Sequence, residues 1–355
     1  MEKRHYNLDR YFIGGIKFRI LDLATIEKYD LQKMYKVYDR WPEIARESYM
    51  SNIEPVVFHD IDHIVFAGMG GSGTIGDLFS SILSKSDIHV SLIKGYLLPK
   101  TVDKNTLVVT TSISGNTSET LTILDSAKKL ECNLIAFSSG GKMESLCKNN
   151  QITFRKIPLF HSPRASFVNS TYSILKILNS ILPIEKNDIM ASLNELDIMK
   201  KQIASHNLSD SNPAINLASW ITDIPLIYYP HGLQSAAIRF KSSLQENAKT
   251  HVIIDDVIEA CHNGIVSWER PSVVQPILLR GKNDYIKTKE RFDIIKELFV
   301  KNDIDFKEIH SISGNILSKI MCFIYMLDYV SIYRAILSKT DPSPVSSISY
   351  IKSRI

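Results

Sequence analysis

Two short turns in the first half of the chain carry residue types that bind phosphate. The first lies in residues 64–77, IVFAGMGGSGTIGD, which read as a short apolar strand, a turn with four glycines in six positions and an amphipathic helix. Such a turn leaves backbone N–H groups unpaired, and the helix dipole adds partial positive charge there. The sequence therefore predicts an anion site, best suited to phosphate, with Gly70, Gly71 and Ser72 as its contacts.

The second turn follows the third predicted strand and reads TTSISGNT over residues 110–117. The hydroxyls of Ser112, Ser114 and Thr117 could surround phosphate oxygens while the next helix supplies N–H donors. Ordinary N-capping would explain one hydroxyl before a helix. It does not explain a second hydroxyl-rich turn in a sheet that already has a glycine turn, so we predict that both turns bind phosphate.

The glycine turn has two competing interpretations. Gly68, Gly70 and Gly73 fit the GxGxxG pattern of dinucleotide sites. Such a site needs an acidic residue after the second strand to hold the ribose, whereas Lys94 follows this strand, which disfavours a nicotinamide cofactor. A turn used only for close packing is the other alternative, although four glycines exceed what packing needs.

Metal-dependent and other hydrolytic chemistry has little support in the sequence. His59 and His63 lie four residues apart with Asp60 and Asp62 between them, a spacing that could chelate a metal on a helix. The stretch leads into the first predicted strand, where alternating side chains would separate the ligands, so we expect no metal. The HExxH, GxSxG and GxxxxGK[ST] motifs do not occur.

Composition limits the classes of partner. The 355 residues carry a net charge of +4 without a dense basic stripe, so nucleic acid is not expected. The four cysteines are widely spaced without a CxxC pair, which fits a reducing cytoplasm. Apolar runs such as residues 320–327 are too short to span a bilayer, so we expect neither export nor membrane insertion.

The chain length suggests two domains. In the first half, helical patterns separate five predicted strands, at residues 64–67, 90–93, 107–111, 134–137 and 152–157. This alternation predicts a doubly wound parallel sheet in an α/β fold, with ligands at the carboxyl ends of its strands. The site should therefore form from the turns after the first and third strands.

The second half repeats the strand–helix alternation of the first half more weakly and has PHGLQS in place of the glycine turn. Its strands are predicted at residues 225–229, 274–279 and 305–309, and its helices at 233–249, 284–301 and 316–337. The last helix suits either a subunit interface or a core. Residues 1–30 have no clear period, and 31–50 are predicted as one packed helix. The breakers at 207–213 suggest three parts: an N-terminal extension and helix (1–50), a phosphate-binding domain (51–206) and a second domain (207–355).

Several motifs in order resemble a known enzyme family. GMGGSG followed by SISGNTSET resembles the sugar isomerase (SIS) domain. Four later stretches resemble the bifunctional phosphoglucose/phosphomannose isomerases: SPRAS (162–166), RFKSSLQENAK (239–249), CHNGIVSW (261–268) and the terminal DPSPVSSISYIKSRI. The resemblance covers roughly residues 35 to 355. It implies two flavodoxin-like SIS domains, a homodimer and aldose–ketose isomerisation of a hexose phosphate without metal or organic cofactor.

Four residues match the family's catalytic positions. Moving a proton between adjacent sugar carbons requires a base and a cation that stabilises the enediolate oxygen. By resemblance, Glu246 is that base and Arg164 that cation, whereas His262, contributed by the partner subunit, and Lys352 open the sugar ring. Taken alone, each of these side chains has an ordinary alternative role, such as a solvated surface charge for Glu246 or a hydrogen-bonded core group for His262.

The sequence departs from the family pattern at two positions. Ile113 replaces an aromatic residue in the hydroxyl turn, and Gly264 replaces an acidic residue after the His-Asn pair. Loss of that acid would alter the orientation or proton affinity of His262. Two alternatives therefore stay open, a SIS protein that senses sugar phosphate without catalysis and an isomerase of a specialised sugar pathway. The combination of Arg164, Glu246, His262 and Lys352 favours an enzyme.

Overall fold

The computed structural model describes residues 21–354, and residues 1–20 of the predicted N-terminal extension lie outside the described residues. Its strands are β1 His63–Ala67, β2 His89–Ile93, β3 Thr106–Thr111, β4 Asn133–Ser138, β5 Thr153–Lys156, β6 Ile224–Tyr229, β7 Ile253–Asp256, β8 Val274–Arg280 and β9 Lys307–His310. Its α-helices are α1 Leu23–Tyr29, α2 Met34–Asp39, α3 Trp41–Tyr49, α4 Gly70–Leu83, α5 Ser118–Ala127, α6 Gly141–Asn149, α7 Phe167–Ile177, α8 Lys186–Ile203, α9 Pro213–Trp220, α10 Gln234–Ser243, α11 Val257–Ala260, α12 Ile286–Lys301, α13 Ile316–Leu337 and α14 Ser346–Lys352.

The first sheet has five parallel strands in the order β2-β1-β3-β4-β5. Its apolar central strands β1 and β3 are buried along their whole length, as expected of a sheet covered on both faces. Ala67, the last residue of β1, pairs with Thr110 near the end of β3. The glycine turn and the hydroxyl turn therefore leave adjacent strands at the same edge. The structure confirms the predicted doubly wound sheet.

The second sheet is parallel, with the order β7-β6-β8-β9, which repeats the order of the first four strands of the first sheet. The similarity predicted between the two halves is thus a shared strand order. The sequence analysis missed β7, a four-residue strand that ends in two aspartates and so carries a weak hydrophobic signal.

The single helix predicted for residues 31–50 is wrong, because α2 ends at Asp39 and α3 begins at Trp41. Pro42 lies in the first turn of α3, where a residue without an N–H is tolerated, so the chain restarts a helix there. A further helix, α1, lies in the stretch that showed no period. Asp22 caps it by accepting a hydrogen bond from the backbone N–H of Thr25 at 2.7 Å.

The helix predicted for residues 233–249 is not α-helical over its whole length. It runs as α10 to Ser243 and then widens into one π-helical turn, Leu244–Ala248. Such π turns are rare and often occur at functional sites. This turn carries Glu246.

The long helix α13 lies in the core, packed against α8, α9 and α10. Among residues 21–354 it is the helix that meets the length and hydropathy of a membrane span, although the sequence analysis judged its apolar run too short. Of its most apolar window, 89% is buried inside the protein. The rings of Tyr325, Tyr329 and Tyr333 contact one another in series within that core, tilted by 59° and 35°.

Candidate active site

The glycine turn presents the uncapped start of a 14-residue helix at the edge of the first sheet. Met69 occupies the N-cap position of α4 and makes no side-chain cap, and Gly70 has φ +53°. A Cβ on Gly73 would lie 2.8 Å from the carbonyl oxygen of Gly68, so the turn closes only with glycine there. The N–H groups of Ser72 and Gly73 donate to the carbonyl oxygen of Met69 at 3.1 and 3.2 Å, so those of Gly70 and Gly71 are the ones that suit an anion.

In the hydroxyl turn, the side chains bond to one another instead of capping the helix. The Oγ of Ser112 and the Oγ1 of Thr117 lie 2.9 Å apart, and Thr117, the N-cap of α5, makes no side-chain bond to the helix. The Oγ of Ser114 is exposed and accepts the N–H of Asn116 at 3.3 Å. Simple N-capping therefore does not account for this turn.

Arg164 lies at the centre of the polar contacts between the two halves, and only 5% of its surface is exposed. Its Nε donates to Asn247 Oδ1 at 2.8 Å, and its Nη1 donates to Glu246 Oε2 at 3.2 Å. Its Nη2 donates to the carbonyl oxygens of Pro342 and Ser343, both at 2.7 Å. The buried guanidinium thus joins the π-helical turn to the loop before α14.

The glycine turn lies directly against this arginine. A Cβ on Gly71 would be 3.4 Å from the Cα of Arg164 and 3.5 Å from Nη1 of Arg239. The Glu246 side chain is 23% exposed and forms an ion pair with the Arg164 guanidinium. The structure therefore brings together the glycine turn, Arg164 and Glu246, three features predicted from separate parts of the sequence.

A buried ion pair supports the main chain of Arg164. Arg239 Nη2 donates to Asp328 Oδ2 at 2.7 Å and to the carbonyl oxygen of Arg164 at 2.7 Å. The guanidinium also lies 4.9 Å above the ring of Phe167. Burial by itself lowers the pKa of Arg239, but the groups around it, chiefly the Asp328 carboxylate with Tyr38 and Glu246, together raise it above its ordinary value. Arg239 therefore stays charged and keeps Arg164 in place.

The Nζ of Lys94, the residue that disfavours a dinucleotide site, donates to both carboxylate oxygens of the buried Asp77, at 2.7 and 2.6 Å. Its Cε would lie 3.3 Å from a Cβ on Gly73, so the lysine stem packs behind the glycine turn. Burial raises the pKa of Asp77, although the nearby Lys94 cation opposes that rise.

Both histidine ring nitrogens of His63 have hydroxyl partners. Its Nε2 lies 2.9 Å from Ser91 Oγ and its Nδ1 lies 3.3 Å from Thr106 Oγ1. His63 is the first residue of β1, and within residues 21–354 no group of three or more His, Cys, Asp or Glu side chains is arranged to hold a metal.

Neither His262 nor Lys352 forms a hydrogen bond or ion pair with Arg164 or Glu246 within the chain. His262 is exposed in the turn after α11, and Lys352 is exposed at the end of α14. The structure explains why position 264 is glycine, because a Cβ there would lie 2.8 Å from a carboxylate oxygen of Asp255. Asp255 thus occupies the space into which an acidic side chain at position 264 would project.

The sequence analysis missed several residues that shape the site. Asn247 and Lys249 belong to the same ENAK stretch as Glu246, and the Lys249 Nζ donates to the carbonyl oxygens of Glu246 and of Pro344. Burial lowers the pKa of Lys249. The consecutive polar residues of ENAK were the available signal, but nothing in a linear sequence shows that the DPSP carbonyls face them.

A cavity of about 700 Å³ opens beside Glu246. It is lined by Lys249 and His251 on one side and by the start of α14 with the residues before it, 344–348, on the other. The cavity is large enough for a hexose phosphate, since ligand pockets commonly measure about 300–1,000 Å³.

Comparisons with known proteins find relatives for both halves of the chain. The SIS domain family matches residues 57–182, and the bacterial phospho-glucose isomerase C-terminal SIS domain matches residues 210–355. The bifunctional phosphoglucose/phosphomannose isomerase of Caldicellulosiruptor bescii is 31% identical over 306 residues, which cover 83% of this chain and 90% of that protein. The enzyme of the same name from Aquifex aeolicus is 26% identical, covering 92% and 99%. The D-glucosamine-6-phosphate 4-epimerase of Sulfolobus acidocaldarius is 28% identical, covering 65% and 72%.

Solved structures share the fold at low sequence identity. A hypothetical protein from Thermus thermophilus superposes with a TM-score of 0.68 at 12% identity, covering 94% of this chain and 89% of that one. The C-terminal domain of glucosamine-fructose-6-phosphate aminotransferase from Francisella tularensis gives 0.65 at 16% identity, covering 87% and 97%. With its two parallel sheets, its matched SIS domains and its curated relatives, the chain belongs to the bifunctional phosphoglucose/phosphomannose isomerase family.

Proposed function

We propose that this protein is a sugar-phosphate aldose–ketose isomerase of the glucose 6-phosphate/mannose 6-phosphate to fructose 6-phosphate type. Glu246 carries a proton between C1 and C2 of the open-chain sugar, and Arg164 stabilises the negative oxygen of the cis-enediolate that forms between the two transfers. Family membership supports the reaction class, because the curated relatives with the same two domains are named for it.

The hydrogen bonds of Arg164 carry the proposal. A guanidinium has five N–H donors. One on Nε goes to Asn247, two on Nη2 go to the carbonyls of Pro342 and Ser343, and one on Nη1 goes to Glu246, which makes four. The fifth also belongs to Nη1, the nitrogen beside Glu246. A substrate oxygen bound there is next to the carbon that Glu246 deprotonates, as an enediolate intermediate requires.

The phosphate group of the sugar phosphate binds at the two turns. The N–H groups of Gly70 and Gly71 and the Ser72 hydroxyl lie on one side, and the hydroxyls of Ser112, Ser114 and Thr117 on the other. Their places at the ends of adjacent strands support a single cradle. The chemistry assigned to Glu246 and Arg164 uses no metal or organic cofactor.

Ring opening belongs to Lys352 and to His262 of the partner subunit in a homodimer. His262 is exposed, whereas Glu246 of the same chain pairs with Arg164, which supports a site completed by the partner's histidine. The chain divides into an N-terminal segment of residues 1–50 and SIS domains at 51–206 and 207–355, and the protein works in the cytoplasm.

Deuterium exchange tests the reaction. The protein is incubated with fructose 6-phosphate in deuterated water, and we expect aldose 6-phosphate carrying deuterium at C2. The product should vanish in Glu246→Gln and persist in the matched control Glu297→Gln, an exposed helical glutamate of α12. Saturable binding without exchange would show instead a SIS protein that only senses its ligand.

Subunit mixing tests the shared histidine. Glu246→Gln and His262→Ala subunits are each expected to be inactive, but a mixed dimer keeps one site with both Glu246 and the partner's His262. Equal mixing should restore about a quarter of the wild-type rate, because about half of the dimers are mixed and each has one intact site. No recovery after confirmed exchange of subunits would place His262 in its own chain's site.

A further inference from the structure

Asn247 is a fully buried amide that connects the candidate active site to the core. None of its surface is exposed, and its Oδ1 accepts the Nε–H of Arg164 at 2.8 Å. Its Nδ2 donates to Ser331 Oγ at 2.8 Å. The amide thus touches Arg164 on one side and a residue of α13 on the other.

The orientation of this amide follows from the bonding of Ser331. The Ser331 hydroxyl donates to the carbonyl oxygen of Asp328 at 2.6 Å, so its oxygen is left to accept. Only the NH₂ end of Asn247 can supply that bond. Its carbonyl end must then face Arg164, where the Nε–H needs an acceptor.

The π-helical turn places two consecutive side chains against one guanidinium. Glu246 bonds Nη1 and Asn247 bonds Nε of Arg164, and both belong to the turn Leu244–Ala248. A π turn has more residues per turn than an α-helix, so successive side chains diverge less around its axis. The sequence order Glu-Asn and the local helix type therefore act together.

We propose that Asn247, oriented by Ser331, is a positioning residue that sets the rotation of the Arg164 guanidinium and so aims its Nη1 at the reacting oxygen. This inference rests on the proposed function. The two Nη2 bonds hold one end of the guanidinium, and the Asn247 bond fixes the rotation about that end. Without it, Nη1 moves away from Glu246 and the enediolate loses its cation.

Kinetics of four variants test the proposal on fructose 6-phosphate. Asn247→Leu removes the acceptor, and kcat should fall about 100-fold, the scale of a misplacement near 1 Å, while KM stays within about threefold because the phosphate turns are intact. Asn247→Asp keeps an acceptor for Nε and should retain kcat within about tenfold. Ser331→Ala frees the amide to turn over and should lower kcat about tenfold. Asn212→Leu, at another fully buried asparagine that caps α9, should lower stability and leave kcat unchanged.

A second readout does not depend on turnover. In ¹⁵N NMR spectra the Nε–H of Arg164, assigned with Arg164→Lys, should exchange slowly with water in the wild type, Asn212→Leu and Asn247→Asp proteins. It should exchange fast in Asn247→Leu, or in Ser331→Ala if the leucine variant does not fold. Fast exchange in the wild type, or undiminished kcat in Asn247→Leu and Ser331→Ala, would overturn the positioning role. If the wild-type protein forms no aldose but its Arg164 Nε–H exchanges slowly, the proposed function is refuted. The hydrogen bond by which Asn247 positions Arg164 is then still supported.

Discussion

Asp328→Asn is expected to be the most destabilising of the conservative changes near the site. Arg239 and Asp328 are 2% and 0% exposed in their side chains, and they face each other through bonds of 2.7 to 3.1 Å. The substitution keeps the shape and removes the charge, so the guanidinium remains buried without a counterion. Removing one partner of a buried ion pair costs about 3–5 kcal/mol of unfolding free energy.

That loss would be a large part of the whole, since proteins are stable by only about 5–15 kcal/mol. Urea unfolding followed by circular dichroism measures it as a shift of the midpoint at constant slope. Asp293→Asn is the matched control, because that carboxylate is 58% exposed and lies 3.9 Å from Arg280. It should change the unfolding free energy by less than about 0.5 kcal/mol.

A double replacement separates the ion pair from simple packing. Arg239→Met with Asp328→Leu removes both charges and should be less destabilising than Asp328→Asn alone, since replacing a buried pair is often close to neutral. The double variant should not reach the stability of the wild type, because Arg239 also donates to the carbonyl oxygen of Arg164 and methionine cannot. A loss below about 1 kcal/mol in Asp328→Asn would show that Arg239 finds another anion or water, and the reasoning would fail.

Three further changes have distinct readouts. Gly115→Ala would place a Cβ 1.8 Å from the carbonyl oxygen of Gly140 at φ +68°, so KM for the sugar phosphate should rise at least about tenfold by titration of initial rates. Gly264→Glu would drive a side chain into the Asp255 carboxylate, and activity lost there should return in part when Asp255 is also changed to glycine. Burial lowers the pKa of His161 below its ordinary 6.5, so the folded state resists a proton that the unfolded chain accepts. The unfolding free energy should therefore fall as pH drops below 6.5, and His161→Gln should flatten that fall in urea titrations.

The sheets were predictable because their signal is local. Each central strand is an apolar run followed by a turn of glycine or hydroxyl residues, and a window of about ten residues contains the whole pattern. The doubly wound parallel arrangement followed from the alternation of strands and helices, although the order of the strands was not predicted. Two elements that the sequence did not predict, α1 and β7, are short and depend on a cap or on pairing with a neighbour, which no local period shows.

The contacts of Arg164 were beyond such reasoning. Its partners Glu246 and Pro342 lie 82 and 178 residues away in the chain, and the bond to Pro342 uses a backbone oxygen that has no residue signature. The π turn likewise has no simple sequence pattern, although it decides that Glu246 and Asn247 face one guanidinium. Family resemblance identified Glu246 and Arg164, but the shared orientation of the two is a property of the folded chain.

The two sheets share a strand order, but the turns after their equivalent strands β3 and β8 are built differently. In the first half, the turn after β3 contains no charged side chain and is closed by bonds among its own residues, such as Gly115 N–H to the carbonyl oxygen of Ser112 and Ser112 Oγ with Thr117 Oγ1, both at 2.9 Å. In the second half, the turn after the equivalent strand β8 is filled by its own chain, because the N–H of Gly281 donates to Asp284 Oδ1 at 2.9 Å. Arg280 Nε lies 3.2 Å from the other oxygen of that carboxylate. A carboxylate of the chain itself thus lies in the turn equivalent to the proposed phosphate turn, so we expect a sugar phosphate to bind at the first sheet rather than at the second.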